Sequence, residues 1–129
     1  MSKLCELLLR TRFDYPAIAQ RRRHNYQFLA ERLPDLALMP ELPLAVVPLG
    51  FPIRSHQRDA LRCALFERQI FPPVHWSIDG IVPDSFVASH ALSREIMTLP
   101  CDQRYTIDDM TRMADAVRDW QEKHGGLAA

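Results

Sequence analysis

Apolar residues in the first part of the chain recur with helical spacing, Leu4, Leu7 and Leu8 in one piece and Ile18, Phe28, Leu29 and Leu33 in a second. Pro16 separates the two pieces. Proline disfavours helical geometry in the residue before it and suits a first helical turn, so the pattern predicts a break near Tyr15 and Pro16, with Asp14 as N-cap of the longer helix. The next stretch changes character. Prolines at 34, 40, 43, 48 and 52 interrupt an apolar run, which excludes a long helix and predicts short strands at residues 36–39 and 46–53.

Ser55 stands where an N-cap belongs, and RDALRCALFERQ continues with helical spacing and an inner face of Leu61, Leu65 and Phe66. The β-branched and aromatic run IFPPVHW, residues 70–76, then predicts a strand placed at a sheet edge by Pro72 and Pro73. A loop over 77–85 leads into a helix over 84–95 and a brief buried strand at 96–99, stopped by Pro100. The strongest local signal comes last. Thr106 and Asp109 stand in capping-box positions, and Ile107, Met110, Ala114, Val117 and Trp120 follow with helical periodicity until His124, Gly125 and Gly126, where glycine suits a left-handed cap.

This order predicts an α+β fold, a two-layer α/β sandwich with a small mixed or antiparallel sheet and helices on one face. Its expected organisation is an N-terminal helical segment, 1–33, of interdomain type and broken near Pro16, followed by a small α+β domain, 34–129, in one folded unit. Composition agrees with a folded globular chain. Of 129 residues, 47% are hydrophobic and 25% charged, and the mean hydropathy is −0.18.

Sixteen basic residues balance sixteen acidic ones, so no global field draws the chain to nucleic acid or to an anionic membrane. The basic cluster Arg21, Arg22, Arg23 and His24, with Tyr15 and Tyr26 nearby for stacking, is the one local exception. Consecutive helical residues point about 100° apart, which makes a solvated helix surface the better reading. Three cysteines, Cys5, Cys63 and Cys101, cannot close a disulfide framework and contain no C-x-x-C pair. Reduced thiols and a cytoplasmic location are expected, and the short run Leu7 to Leu9 between Glu6 and Arg10 reads as neither signal peptide nor membrane span.

Candidate chemistry is sparse. The five histidines, 24, 56, 75, 90 and 124, lack metal-ligand spacing, so no zinc site is expected. Ser85, Ser89 and His90 invite a nucleophile argument, but no G-x-S-x-G elbow is present, and the four glycines form no phosphate-binding loop. His75 and Trp76 are the more informative pair. A histidine that titrates near neutral pH stands beside a large flat aromatic surface at the end of a proline-stiffened segment.

Three stretches resemble the C-terminal small domain of fold-type I, pyridoxal-phosphate-dependent aminotransferases of the DegT, amino-sugar type. RRRHNYQFLAERL is similar to the family's helix leading from its large domain. RDALRCALFERQIFPPVHW is similar to its Arg-Asp-x-Leu helix and the strand ending in His-Tyr, and ALSREIMTLPCDQRYTIDDMTRMADAV to its Leu-Pro strand and terminal helix. The resemblance covers about residues 21–120. It implies a domain that covers the cofactor cleft and lends substrate contacts, with His75 and Trp76 at a substrate-facing rim.

It also implies what this chain lacks. In the family, the Schiff-base lysine, the aspartate that pairs with the pyridine nitrogen and the phosphate-holding groups belong to the large domain. The only lysines here are Lys3 and Lys123, both in helix-terminal contexts. No catalytic and no cofactor-binding residue is therefore assigned, pyridoxal phosphate is implied only for a complete family member, and this chain alone is expected to be inactive. The resemblance implies as partners a large domain or partner subunit, with a homodimer also open. Where the family reads His-Tyr with a downstream Pro-Leu-His, this chain reads VHWSIDGIVPD, which weakens any expectation of a nucleotide-sugar substrate. The competing reading is a stand-alone protein-interaction module, and a third is a nucleic-acid binder acting through the arginine cluster.

Overall fold

The computed structural model describes residues 2–124. Helix α1, Lys3–Arg12, is capped by Ser2, whose hydroxyl accepts from the Cys5 N–H at 3.2 Å, and buries none of its residues. Phe13 is extended and ends it. Asp14 then caps α2, Tyr15–Arg32, by accepting from the Ala17 N–H at 3.0 Å, and Pro16 occupies the first turn, where a missing N–H leaves no bond unmade. The expected break is present.

Two short strands follow, β1, Phe51–Arg54, and β2, Ile96–Leu99, paired antiparallel with Phe51 opposite Leu99 and Ile53 opposite Met97. Period-two alternation turns these four side chains inward, and all four are buried. Between the strands lie α3, Arg58–Glu67, and α4, Val87–Glu95, and after them comes α5, Ile107–His124. Helices α2, α3 and α5 close over the sheet, adding Tyr26 and Leu29, Leu61 and Leu65, and Met110, Met113, Ala114 and Val117 to one core. The result is the expected α+β class, with an antiparallel sheet. Tyr26 meets Phe51 edge to face, with ring centroids 4.9 Å apart.

The sheet is smaller than the pattern predicts, and proline is the reason. The expected strand at 36–39 reduces to a single bridge between Ala37 and Ile53, held by bonds from Leu38 N–H to the Pro52 carbonyl and from Arg54 N–H to the Leu36 carbonyl. The strand expected from 46 begins only at Phe51. Residues 70–76 form no strand. Pro72 and Pro73 have no N–H to donate, and the segment touches the sheet through one bond, from the Thr98 N–H to the Pro73 carbonyl at 3.0 Å. Gly50 enters β1 where the sheet is tight. A Cβ there would overlap the Thr98 methyl and lie 3.2 Å from the Leu99 carbonyl oxygen.

Helix α3 departs from expectation at both ends. Its N-cap is Gln57, without a side-chain cap, whereas Ser55 Oγ accepts from the Gln57 N–H ahead of the helix. At the other end Gln69 takes the left-handed conformation at φ 59°, with its N–H bonded to the Phe66 carbonyl and that of Ile70 to the Leu65 carbonyl. This is a Schellman ending with glutamine where glycine is usual. Phe66 faces outward, against Phe71 and under the Arg62 guanidinium, so the inner face is Leu61 and Leu65 alone. Helix α4 starts at Val87, three residues after its expected start. The capping box of α5 is reciprocal, with Thr106 N–H donating to Asp109 Oδ2 at 2.9 Å and Asp109 N–H donating to Thr106 Oγ1 at 3.3 Å. The glycine cap expected at 125–126 lies outside the described residues.

Candidate functional site

The segment that carries His75 and Trp76 leaves α3 through the left-handed turn at Gln69 and is fastened at successive carbonyls. Arg62 Nε donates to the Pro72 carbonyl at 3.1 Å, Thr98 N–H to that of Pro73, and Ser93 Oγ to that of Trp76 at 3.0 Å. Trp76 itself has φ 53°, a conformation that costs a bulky residue energy and re-aims its side chain. Its ring is 81% exposed. Trp76 thus holds a large apolar side chain largely in water, with its own carbonyl fastened by Ser93.

His75 and Trp76 are neighbours with ring centroids 5.7 Å apart, yet they face different surroundings. His75 lines a cleft of about 430 Å³ between the start of α5, the residue 100–105 loop and the segment after α3, together with Thr98, Arg104, Tyr105 and Arg112. Trp76 is outside that lining. The cleft's carboxylates are engaged internally. Asp102 accepts from Arg104 Nε at 2.9 Å and Nη2 at 2.8 Å, and Asp109 caps α5. The Arg104 guanidinium holds the Asp102 carboxyl below the usual carboxylate range, and the Thr106 N–H and hydroxyl do the same for Asp109.

The loop after Trp76 is held by α4. His90, buried on α4, has Nδ1 at 3.3 Å from Asp79 Oδ1 and Nε2 at 3.2 Å from the Val82 carbonyl, and Arg94 Nη2 also reaches Asp79 Oδ1 at 3.3 Å. These bonds, His90 first, lower the Asp79 carboxyl. Both ring nitrogens of His90 are thus occupied by the loop, and among the described residues neither Ser85 nor Ser89 hydrogen-bonds a histidine. The serine nucleophile has no base. A second cluster fixes the other end of α4, where Glu95 accepts from Arg54 at 2.6 Å and lies 2.8 Å from His56 Nδ1, which together depress its carboxyl.

The arginine cluster is structural in two of its three members. Arg22 donates to the Gln103 side chain at 2.7 Å and to the Pro48 carbonyl at 2.9 Å, and Arg23 donates to the carbonyls of Pro43 and Val46. A proline-rich segment has few N–H donors for its own turns, and guanidinium forks from α2 meet its free carbonyls instead. Only Arg21 is fully exposed. Sequence reasoning also missed Asn25, whose Nδ2 donates to the carbonyls of Asp102 and Tyr105, both at 3.1 Å, and to that of Cys101 at 3.4 Å. Nothing in the local pattern marks it, because its partners are more than seventy residues away.

Neither lysine is placed for imine chemistry. Lys3 and Lys123 are both exposed on helices, whereas an imine-forming lysine needs a desolvated pocket that lowers its pKa. The described residues therefore offer no desolvated lysine to form an imine with pyridoxal phosphate. They also contain no group of three or more histidine, cysteine or acidic side chains able to hold a metal. Cys5 and Cys63 are exposed, and Cys101 is buried with its thiol pushed up to about 12 by desolvation.

Neither family models nor curated proteins match the chain. Solved structures do. The sugar aminotransferase CalS13 from Micromonospora echinospora superposes with a TM-score of 0.65 at 18% identity over 79% of this chain and 30% of its own. A DegT DnrJ EryC1 StrS aminotransferase from Brucella abortus superposes with a TM-score of 0.66 at 19% identity over 79% of this chain and 31% of its own. The chain thus has the fold of a part of these enzymes and spans less than a third of their length.

Proposed function

We propose that this chain is the C-terminal small domain of a DegT-type aminotransferase, inactive alone because the catalytic lysine and the cofactor-binding large domain are not in it. The observation that carries the reading is the fold shared over 79% of this chain with 30% of a sugar aminotransferase. The three stretches of sequence that resemble the same family also occur in its order along the chain. On this reading α1 and α2 are the interdomain-type helical segment and residues 34–129 are the small domain. His75 and Trp76 form the substrate-facing rim. The partner is a large domain or a companion subunit, with a homodimer open, and the location is cytoplasmic. Among the described residues no helix is long and apolar enough to cross a membrane.

The rim has the form such a role needs. Trp76 is presented on a backbone fixed by Ser93, and the following loop is fixed by His90 and Arg94, so little loop entropy remains to be lost on binding. Pyridoxal phosphate would supply the electron sink for amino transfer in a complete enzyme. Mixing the purified chain with pyridoxal phosphate is expected to give no saturable imine band in the near-ultraviolet and visible. A saturable band abolished by Lys3→Ala or Lys123→Ala overturns the reading.

A further inference from the structure

His90 is buried on α4, and both of its ring nitrogens face oxygen, Nδ1 at 3.3 Å from Asp79 Oδ1 and Nε2 at 3.2 Å from the Val82 carbonyl. Neither oxygen can donate. A carbonyl only accepts, and so does Asp79, whose carboxyl is held below its ordinary range by His90 and Arg94 and is ionised at neutral pH. Both contacts are therefore hydrogen bonds only while the ring carries two protons. With one proton, one nitrogen turns a lone pair toward an oxygen.

The charges around the ring fit its doubly protonated form. Asp79 meets the ring's positive charge, and Arg94, one turn further along α4, shares the same carboxylate oxygen at 3.3 Å. Arg58 approaches α4 from α3 but is spent on the Ser93 and Ile96 carbonyls, and Glu95, at the C-terminal end of α4, is paired with Arg54 and His56. The loop itself has little else to hold it to α4. None of residues 77–86 is buried, and Gly80 at its tip has φ 74° with open space where a side chain would stand. Its turn is closed internally, by the Ile81 and Val82 N–H groups on the Ile78 carbonyl, both at 3.0 Å.

We infer that residues 77–83 form a pH-dependent latch on α4, closed while His90 carries both ring protons and opened at Val82 when it loses one. The remaining proton stays toward the carboxylate, the stronger acceptor, so the Val82 carbonyl is the contact released. An imidazole titrates near neutral pH, so the change falls in a physiological range. Opening frees the segment that runs from Trp76 to α4, and the surface beside Trp76 differs between the two charge states. The inference goes beyond the aminotransferase reading and does not require it.

Nitrogen-15 NMR of the whole chain between about pH 5 and about pH 8.5 tests it without cofactor or large domain. Long-range proton–nitrogen spectra read the charge and tautomer of each ring, and backbone relaxation reads the loop. As His90 loses a proton, its neutral form is expected to carry the hydrogen on Nδ1. The order parameters of Gly80, Ile81 and Val82 should then fall from about 0.85 to below about 0.6. Asp79→Asn should keep the loop ordered at both ends of the range, because an amide can either donate to the ring or accept from it. The double variant His56→Gln, His75→Gln should keep the parent response, since neither ring bonds to the loop among the described residues. Asp79 and His56 are exposed and His75 is half-buried, so both variants should fold. A His90 ring that holds one charge state throughout, a neutral form protonated on Nε2, or order parameters that stay level while the ring titrates overturns the inference. So does an Asp79→Asn chain that still loosens, or a response lost in the double variant.

Discussion

Asn25 joins α2 to the loop before α5 through one amide nitrogen and three carbonyls, while its buried Oδ1 has no partner. Removing the amide takes a donor from the Cys101 and Tyr105 carbonyls, whereas that of Asp102 keeps the Tyr105 N–H at 3.2 Å. Asn25→Ala is expected to cost about 2–3 kcal/mol in urea denaturation. Asn25→Asp should cost more, since it turns an acceptor toward oxygens that need donors. Cys101 beside this loop provides a second test. Burial lifts its thiol from an ordinary 9.0 to about 12, so the folded state holds the proton more tightly than the unfolded chain. That contribution is whole below pH 9.0 and is lost as pH rises toward 12, so stability should decline across this interval. At neutral pH a thiol reagent should label Cys5 and Cys63 in the native chain, and Cys101 only after denaturation. None of this was legible from residue type. Asparagine and cysteine at these positions acquire their roles from partners that the fold brings to them.

Among the elements, α5 was the most legible, because a capping box and an apolar stripe are both local. Thr106 and Asp109 act as expected, and Met110, Ala114 and Val117 are buried as expected, with Met113 and Ala116 widening the stripe. The break at Pro16 was legible for the same reason. Strand boundaries were not. An apolar run with proline can form a strand only where its remaining N–H groups find a partner strand, whereas in residues 70–76 the Ile70 N–H closes the end of α3 on the Leu65 carbonyl and the sheet is reached only through the Pro73 carbonyl, which accepts from the Thr98 N–H. The end of α3 carries a prediction of its own. Gln69 holds a left-handed φ of 59° at a Schellman position, where a side chain is unfavourable and glycine is not. Gln69→Gly is expected to raise stability by about 1 kcal/mol, measured by urea denaturation. Unchanged or lower stability would mean that the glutamine side chain contributes more than its strained backbone costs.

For the whole molecule, four carboxyls report on how the loops are tied to the core. Asp79, Glu95, Asp102 and Asp109 are each held below their ordinary values, 3.8 for the aspartates and 4.5 for the glutamate, mainly by hydrogen bonds to His90, Arg54, Arg104 and Thr106. A depressed carboxyl stabilises the fold above its unfolded pKa and ceases to as pH falls through the folded one. The urea midpoint should therefore hold between pH 6 and about 5 and drop below about pH 4. The proposed rim belongs to the same scale. Trp76→Ala and His75→Ala should each change stability by less than about 0.5 kcal/mol for the exposed ring and about 1 kcal/mol for the half-buried one. In an assembly with a large domain, each should lower kcat/KM by about tenfold. A large stability loss with unchanged kcat/KM would make the pair structural.

The amino-acid sequence by itself determined what depends on near neighbours along the chain, namely the helix break at Pro16, the caps at Asp14 and Thr106, and the stripe of α5. Only the tertiary structure decided which segments pair in the sheet, that Arg22 and Arg23 bond to proline-loop carbonyls, that Phe66 faces out, and that Trp76 is exposed while His75 turns toward a cleft. Those outcomes depend on donors, acceptors and apolar surfaces tens of residues apart, and no local pattern encodes the partner that a residue will meet.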